Sequence, residues 1–179
     1  MQPRIPRQSA GEQGDRRPDG ADVGTGLGAH LTPVVSGARR RAVRDGDRQI
    51  DTAHLLHSLL EYDPDARAVL GEGPRLARLL GYLVQRSIGY GLRWQSTVED
   101  SGAVPEVTGA AGFSPLAATA MANARARAAR RGAAEACGID LLAALVADPG
   151  ARAVEVLGRA AVDPREVLAR VENHFEPTP

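Results

Sequence analysis

The chain has 179 residues, with 22 basic and 22 acidic side chains, and its 43% apolar content is enough to fill a compact core. Aromatic residues make up only 3%, which favours packed helices over strands, so we expect an all-α fold. Every basic residue is arginine. Because a P-loop ATPase and a Schiff-base enzyme both need a lysine, both classes are excluded. The zero net charge removes a general electrostatic attraction to nucleic acid.

The first 29 residues are polar and Gly-rich, with too little apolar area to offset the entropy of ordering them, so we predict a disordered tail at 1–29. They contain no apolar h-region, and the chain has no run of apolar residues long enough for a membrane span. A single cysteine, Cys137, excludes an internal disulfide and a multi-thiolate zinc site. These features favour a cytoplasmic protein.

A repeated heptapeptide indicates an internal duplication. The sequence Asp-Pro-Asp-Ala-Arg-Ala-Val at 63–69 returns as Asp-Pro-Gly-Ala-Arg-Ala-Val at 148–154, and each copy follows a Leu-rich run that begins at Leu55 or Leu141. Chance similarity does not keep such a register. We therefore predict one domain at 30–175, made of repeat one at 30–86, a connector at 87–112 and repeat two at 113–175.

Helix starts are marked by a capping residue followed by proline. These pairs are Thr32-Pro33, Asp63-Pro64, Ser114-Pro115, Asp148-Pro149 and Asp163-Pro164. Gly71, Gly132 and Gly158 are the predicted helix ends. Each repeat is thus predicted to contain four helices.

In repeat two the predicted helices span 115–131, 139–147, 149–157 and 164–173. In repeat one the first helix is predicted at 33–44, and the last begins near Pro74 and carries Leu76, Leu79, Leu80 and Leu83 along one face. Tyr90, Leu92 and Trp94 give the connector apolar area, so we expect part of it to pack back on the repeats.

Two ordered series of short motifs resemble the N-terminal domain of Clp-type AAA+ unfoldases, most closely the ClpC and ClpA class. The family has an aromatic-Thr-Pro start and a Gly-Thr-Glu-His motif before Leu-Leu. The matching segments here are Leu31-Thr32-Pro33 with Asp51-Thr52-Ala53-His54, and Phe113-Ser114-Pro115 with Cys137-Gly138-Ile139-Asp140. The resemblance implies a pseudo-twofold domain of about eight helices.

The resemblance also implies a function. In the family this domain collects substrates and adaptors for an unfoldase and its peptidase, and it performs no chemistry. We therefore predict a non-catalytic module with no cofactor. It would act as a stand-alone adaptor, a regulator or a ligand decoy of a Clp protease system. The expected partners are Clp-type unfoldase or peptidase subunits, adaptors, substrate peptides and peptide-like small molecules, but not membranes.

One departure from the family concerns the motif glutamate, which in the ClpC type helps to hold the guanidinium of phosphoarginine. Ala53 and Ile139 stand at this position, and neither can accept a hydrogen bond from a cation. Losing such a charged partner costs about 1.5–3 kcal/mol per bond. The substitution argues against phosphoarginine recognition.

The candidate ligand-binding residues lie at the helix starts and on the fifth helix: Leu31, Thr32, Thr52, Phe113, Ser114, Ala117 and Met121. The hydroxyl-bearing starts can present N–H groups to an anion, although simple helix capping explains them as well. By the resemblance, Leu31 and Phe113 border a peptide groove, and a hydrophobic staple is the alternative. Ala117 and Met121 form an apolar stripe for a peptide or for a neighbouring helix.

Three weaker patterns have alternatives. His54 and His57 with Asp51 have a spacing that would suit a metal ion, but no further ligand cluster is visible, so we predict no metal site. Two arginine clusters, at 39–44 and 125–131, suggest a nucleic-acid-associated regulator as the alternative function, although solvated helix ends explain them more simply. Cys137 has no evident catalytic base, and we expect its thiol to fill a small space.

Overall fold

The structure is a computed structural model that describes residues 27–87, 98–99 and 112–175. Within these residues the chain forms eight α-helices and no strand, which confirms the predicted all-α fold. A short 3-10 turn at Ala29–Leu31 precedes the first helix. The helices are α1 (Thr32–Asp45), α2 (Thr52–Tyr62), α3 (Pro64–Leu70), α4 (Pro74–Ser87), α5 (Pro115–Arg130), α6 (Gly138–Ala147), α7 (Arg152–Arg159) and α8 (Pro164–Phe175).

The order of elements repeats: a long first helix, a mostly buried second helix, a short third helix and an amphipathic fourth helix. α2 packs on α1 and α6 packs on α5, and the two buried helices α2 and α6 also contact each other at the centre. α3 lies against α6 and α8, and α4 lies against α7, so the short third helices join the two copies. One continuous apolar cluster results.

Two isolated parallel bridges connect the copies. Leu27, before α1, pairs with Ala136, before α6, and Ile50, before α2, pairs with Phe113, before α5. The segment before the first helix of each copy thus lies beside the segment before the second helix of the other. This reciprocal pairing of segments is what a pseudo-twofold arrangement of two repeats requires.

Local sequence signals locate most helix starts. Asp63 Oδ1 accepts a hydrogen bond from the Ala66 amide at 2.8 Å, and Ser114 Oγ accepts one from the Ala117 amide at 3.1 Å, so both predicted caps are confirmed. α8 begins at Pro164 as predicted. Thr32 is not a cap, because the preceding 3-10 turn places Leu31 at the N-cap position and Thr32 inside α1.

The predicted start of α7 at Pro149 is wrong by three residues. Asp148 Oδ1 accepts from the Gly150 amide at 2.8 Å, which makes a turn, and the helix begins only at Arg152. Gly150 stands where the first heptapeptide has Asp65, and glycine disfavours a helical turn by about 1 kcal/mol relative to alanine. The two heptapeptides, which differ only at this position, therefore fold differently.

Two of the three predicted helix ends are confirmed. Gly71 and Gly132 have φ values of 90° and 73°, and each follows the end of a helix. The third is wrong, because α7 continues through Gly158 to Arg159 and the chain reverses at Ala161, whose φ is 58°. On α4 the predicted apolar face is confirmed, with Leu79 and Leu83 in the core and Leu76 and Leu80 packed against it.

Most of the predicted tail and connector lies outside the described residues, including Tyr90, Leu92 and Trp94. Leu27, assigned to the tail by sequence, is buried against Ala136, so the ordered fold begins before His30. In the connector, Glu99 is buried and Val98 is exposed. None of the described helices combines the length and the apolar content that a bilayer crossing requires.

Candidate functional site

The predicted site residues separate into two regions and the core. Leu31 and Thr32 line a pocket beside α1, whereas Thr52 and Ser114 meet at a second place, around Glu99. Their role in ligand binding remains a prediction. Ala117, Met121 and Phe113 are buried in the core, and the burial of Phe113 and Leu31 favours packing over exposed apolar contact.

The pocket beside α1, called the α1 pocket below, has a volume of about 380 Å³. It lies where the segment before α1 passes the segment before α6. Leu27 and Leu31 are buried at its base, and Thr32 and Glu135 are exposed at its rim. Its lining residues are Leu27, Ala29, Leu31, Thr32, Val35, Ser36 and Glu135.

A second pocket of about 220 Å³ lies beside α5, between that helix, the end of α6 and the turn before α7. Leu116 and Thr119 come from α5, Leu145 from α6 and Pro149 from the turn. Thr52 at the start of α2 also borders it, so this pocket too touches both copies.

The carboxylate of Glu99 lies where the N-termini of α2, α5 and α7 meet, a place called the Glu99 junction below. Its Oε2 accepts hydrogen bonds from the Thr52 amide at 2.9 Å and from Ser114 Oγ at 2.7 Å. Its Oε1 accepts from the Arg152 amide at 2.7 Å and from Thr52 Oγ1. Glu99 is only 4% exposed. Four hydrogen-bond donors and the N-termini of three helices stabilise its carboxylate in this buried position.

The junction also explains the late start of α7. Thr52 Oγ1 accepts from the Ala153 amide at 3.0 Å, while Glu99 accepts from the Arg152 amide. Two first-turn N–H groups of α7 are thereby satisfied by residues from elsewhere in the chain. A helix cap at Asp148 is therefore not required, and Asp148 instead accepts a hydrogen bond from the Gly150 amide in the turn before α7.

A buried ion network adjoins the junction. Asp51 Oδ2 lies 2.7 Å from Arg152 Nη1 and also contacts Arg86, and Arg86 lies 3.0 Å from Asp47 Oδ2. Asp51 is 1% exposed, and these cations together with His54 lower the pKa of its carboxyl despite the opposing effect of burial. Sequence reasoning assigned no role to Arg86, Arg152 or Glu99, since their partners are distant in the chain.

His54 is the third cation of this network. Its Nδ1 lies 2.9 Å from Asp51 Oδ1, and its Nε2 lies 3.3 Å from Asp47 Oδ2 and 3.5 Å from Asp45 Oδ2. Burial opposes the charged form, but the three carboxylates prevail and raise the pKa of His54 to about 10. In the charged form of His54, Nδ1 carries a proton and donates a hydrogen bond to the Asp51 carboxylate. Only in the neutral form, with Nδ1 unprotonated, can Nδ1 accept a hydrogen bond from the Asp51 amide, which lies 3.1 Å away.

Ligand atoms of Asp47, Asp51 and His54 lie within 4.8 Å of one another, a spacing that a metal ion would accept. His57, the other histidine of the predicted spacing, is not in this group. Arg86 and Arg152 already bind the same carboxylates, and a protonated His54 cannot coordinate a cation. Charge and protonation therefore argue against a metal here.

Copy two carries the opposite charges at the matching place. Asp140, which occupies the motif position of His54, is fully buried and pairs with Arg131, while Arg127 Nε lies 4.0 Å away. Arg131 also lies over the Phe175 ring, 3.8 Å from its centroid. Both copies thus have an ion pair between the end of the first helix and the buried start of the second helix, with the signs of the charges inverted.

Members of both arginine clusters make contacts within the chain. Arg40 donates to Tyr62 Oη at 3.0 Å, Arg41 pairs with Glu61, and Arg127 lies 2.8 Å from Glu172. These contacts reduce the positive surface that a phosphate backbone would need. Cys137 is half-buried, and burial raises the pKa of its thiol, so the reactive thiolate is disfavoured.

Neither a protein-family model nor a curated protein sequence matches the chain. Several solved structures, including the following two, are similar in fold. One is the N-terminal domain of the caseinolytic protease associated chaperone ClpD from Arabidopsis thaliana, with a TM-score of 0.63 and 18% identity, covering 88% of this chain and 99% of that one. The other, from preliminary structural investigations of a malarial protein secretion system, has a TM-score of 0.60 and 16% identity, covering 85% of this chain and 96% of that one. The chain therefore has the fold of a Clp N-terminal domain.

Proposed function

We propose that the protein is a non-catalytic module that binds short peptide segments for a cytoplasmic Clp-type protease system. The observation that carries the proposal is the α1 pocket, which opens between the two copies of a Clp N-domain-like fold. Its volume of about 380 Å³ is within the range of ligand sites and suits one or two side chains. The ligand class is a peptide segment of a client or adaptor protein, or a compound that mimics one.

The lining of the pocket supports a peptide ligand. Leu27 and Leu31 form an apolar base for a side chain, while Thr32 and Glu135 at the rim can hydrogen-bond to a peptide backbone. No side chain of the described residues caps α1, unlike α5, which Ser114 caps. In the first turn of α1, however, Thr32 donates its amide to the Ala29 carbonyl and Pro33 has no N–H, so the rim side chains are the polar groups that the pocket offers to a peptide.

Binding of labelled peptides to the purified chain tests this proposal. A peptide panel is titrated by fluorescence polarisation against the wild type and against Val35→Arg, which places a charged side chain into the pocket. Val43→Arg is the matched control, because Val43 is on the same helix but 76% exposed. We expect Val35→Arg to weaken binding at least about tenfold, or 1.4 kcal/mol, and Val43→Arg to leave it unchanged. Equal peptide affinity of all three proteins would refute peptide binding at the α1 pocket.

The same assay separates the roles of adaptor and decoy. An adaptor binds a purified Clp unfoldase or peptidase and a peptide at the same time, so the unfoldase increases the polarisation of the bound peptide further. A decoy competes with the N-terminal domain of the unfoldase for one peptide, so added chain releases that peptide from the unfoldase. If neither the unfoldase nor any peptide binds, the proposed function is wrong.

A further inference from the structure

We infer that the Glu99 junction is a carboxylate-binding site whose resident ligand is the chain's own Glu99, and that a carboxylate of another molecule can take the place of Glu99. This site is separate from the α1 pocket, and the inference does not rest on the proposed function.

The donors of the junction are arranged by other parts of the fold. Ser114 Oγ accepts from the Ala117 amide, and Thr52 Oγ1 accepts from the Ala153 amide, so the proton of each hydroxyl is left to point at Glu99. The amides of Thr52 and Arg152 are fixed as the first residues of α2 and α7. The site therefore offers four oriented donors to one carboxylate.

Glu99 belongs to none of the eight described helices. It is separated from Thr52, Ser114 and Arg152 by 47, 15 and 53 residues, and Val98 beside it is 59% exposed. Val98 and Glu99 also line a pocket of about 100 Å³ that continues the site towards Asp47 and Arg48. The junction is thus a solvent-connected recess in which an acidic side chain is bound as a ligand would be.

Glu99 belongs to the same chain as its donors, so its binding is intramolecular. A free competitor is therefore expected to bind the wild type weakly and to bind a variant without Glu99 more strongly. The test uses Glu99→Ala with Glu72→Ala as control, since Glu72 is an exposed carboxylate away from the junction. The probes are sodium acetate and an acetylated, amidated nonapeptide with the sequence of residues 95–103.

In calorimetric titrations we expect the nonapeptide to bind Glu99→Ala at least about tenfold more tightly than the wild type or Glu72→Ala. A nonapeptide with glutamine at the position that corresponds to Glu99 should bind Glu99→Ala no more tightly than it binds the wild type. Amide resonances of Thr52 and Arg152 should shift on binding. Equal affinity for both peptides, or shifts elsewhere, would overturn the inference.

Acetate tests the site without relying on peptide recognition. At matched ionic strength, acetate should raise the Tm of Glu99→Ala by about 3 °C or more relative to chloride, and it should not do so for the wild type. If Glu99→Ala does not fold in chloride, recovery of helical circular dichroism in acetate supports the site, and Glu99→Gln is then used for the titrations. If acetate stabilises neither Glu99→Ala nor Glu99→Gln, the inference is wrong, and this result does not depend on peptide binding at the α1 pocket.

Discussion

The guanidinium of Arg152 lies 2.7 Å from the carboxylate of Asp51, which ties the first residue of α7 to the N-cap residue of α2. The two residues are 101 positions apart and belong to different copies of the repeat. The equivalent arginine of the first heptapeptide, Arg67, is exposed and instead donates to the Leu60 carbonyl at 2.9 Å. One of two matching arginines therefore joins the copies, and the other closes a helix within its own copy.

Replacing Arg152 should destabilise the fold strongly. Arg152→Leu removes one of the three cations that bind the buried Asp51, and because Arg86 and His54 remain, we expect a loss of about 1.5–3 kcal/mol, the usual value for a hydrogen bond to a charged group. Urea unfolding followed by circular dichroism measures the change. Arg159→Leu, which removes an exposed pair with Glu155, should cost less than about 1 kcal/mol. Equal effects of the two variants would contradict the role given to Arg152.

His54 should make the free energy of unfolding depend on pH above neutrality. Its pKa is raised to about 10 in the fold, against 6.5 for an ordinary histidine, so the folded state holds the proton more tightly. The stabilisation is complete below pH 6.5 and is lost as the pH rises towards 10, by up to about 1.4 kcal/mol per unit. His54→Gln should lack this slope, and the His54 ring resonances should not titrate near pH 6.5 in the wild type.

His57, one turn further along α2, provides a control of opposite sign. Burial, with Arg41 and Arg44 nearby, lowers its pKa to about 4. Its contribution is present above pH 6.5 and is lost as the pH falls towards 4, because the unfolded chain then binds the proton more readily. His57→Gln should therefore change only the acid side of the stability curve. A change in stability above pH 7 on His57→Gln substitution would show that the pKa shifts of the two histidines had been assigned incorrectly.

Two glycines should respond oppositely to alanine. A Cβ at Gly138 would overlap the Asp63 side chain, so Gly138→Ala should destabilise the contact between α3 and α6 by about 1–3 kcal/mol. Gly158 lies in α7 with open space around it, and Gly158→Ala should stabilise the chain by about 0.5–1 kcal/mol. Thermal unfolding of both variants checks the pair. Stabilisation by Gly138→Ala would mean that Asp63 does not pack there.

The arginine clusters should not retain DNA. Arg41 and Arg131 pair with Glu61 and Asp140, and such internal contacts compete with phosphates. Fluorescence anisotropy with a duplex of about 20 bp at low salt should show weak binding, unchanged when residues 39–41 become alanine. Tight binding with a steep salt dependence, lost in that variant, would instead support the nucleic-acid alternative.

What the sequence predicts well is local. The caps at Asp63 and Ser114 depend on hydrogen bonds over three residues, and the leucine face of α4 follows from helical periodicity. The start of α7 was mispredicted because its first N–H groups are satisfied by Thr52 and Glu99, far away in the chain. No periodicity or motif identifies a single glutamate that binds at such separation. The predicted site residues lie at the α1 pocket, at the Glu99 junction and in the core. The sequence does not show this division, because the burial of Phe113 and Met121 depends on how the two copies pack.

Peptide binding at the α1 pocket, the proposed function, is tested most directly by NMR mapping. The tightest peptide of the panel is titrated into isotope-labelled protein and the amide shifts are followed. We expect the largest changes to cluster at the pocket residues Leu31, Thr32, Val35, Ser36 and Glu135, and we expect Val35→Arg to abolish them. Changes concentrated instead along Arg127 and Arg131, or no saturable change with any peptide, would contradict it.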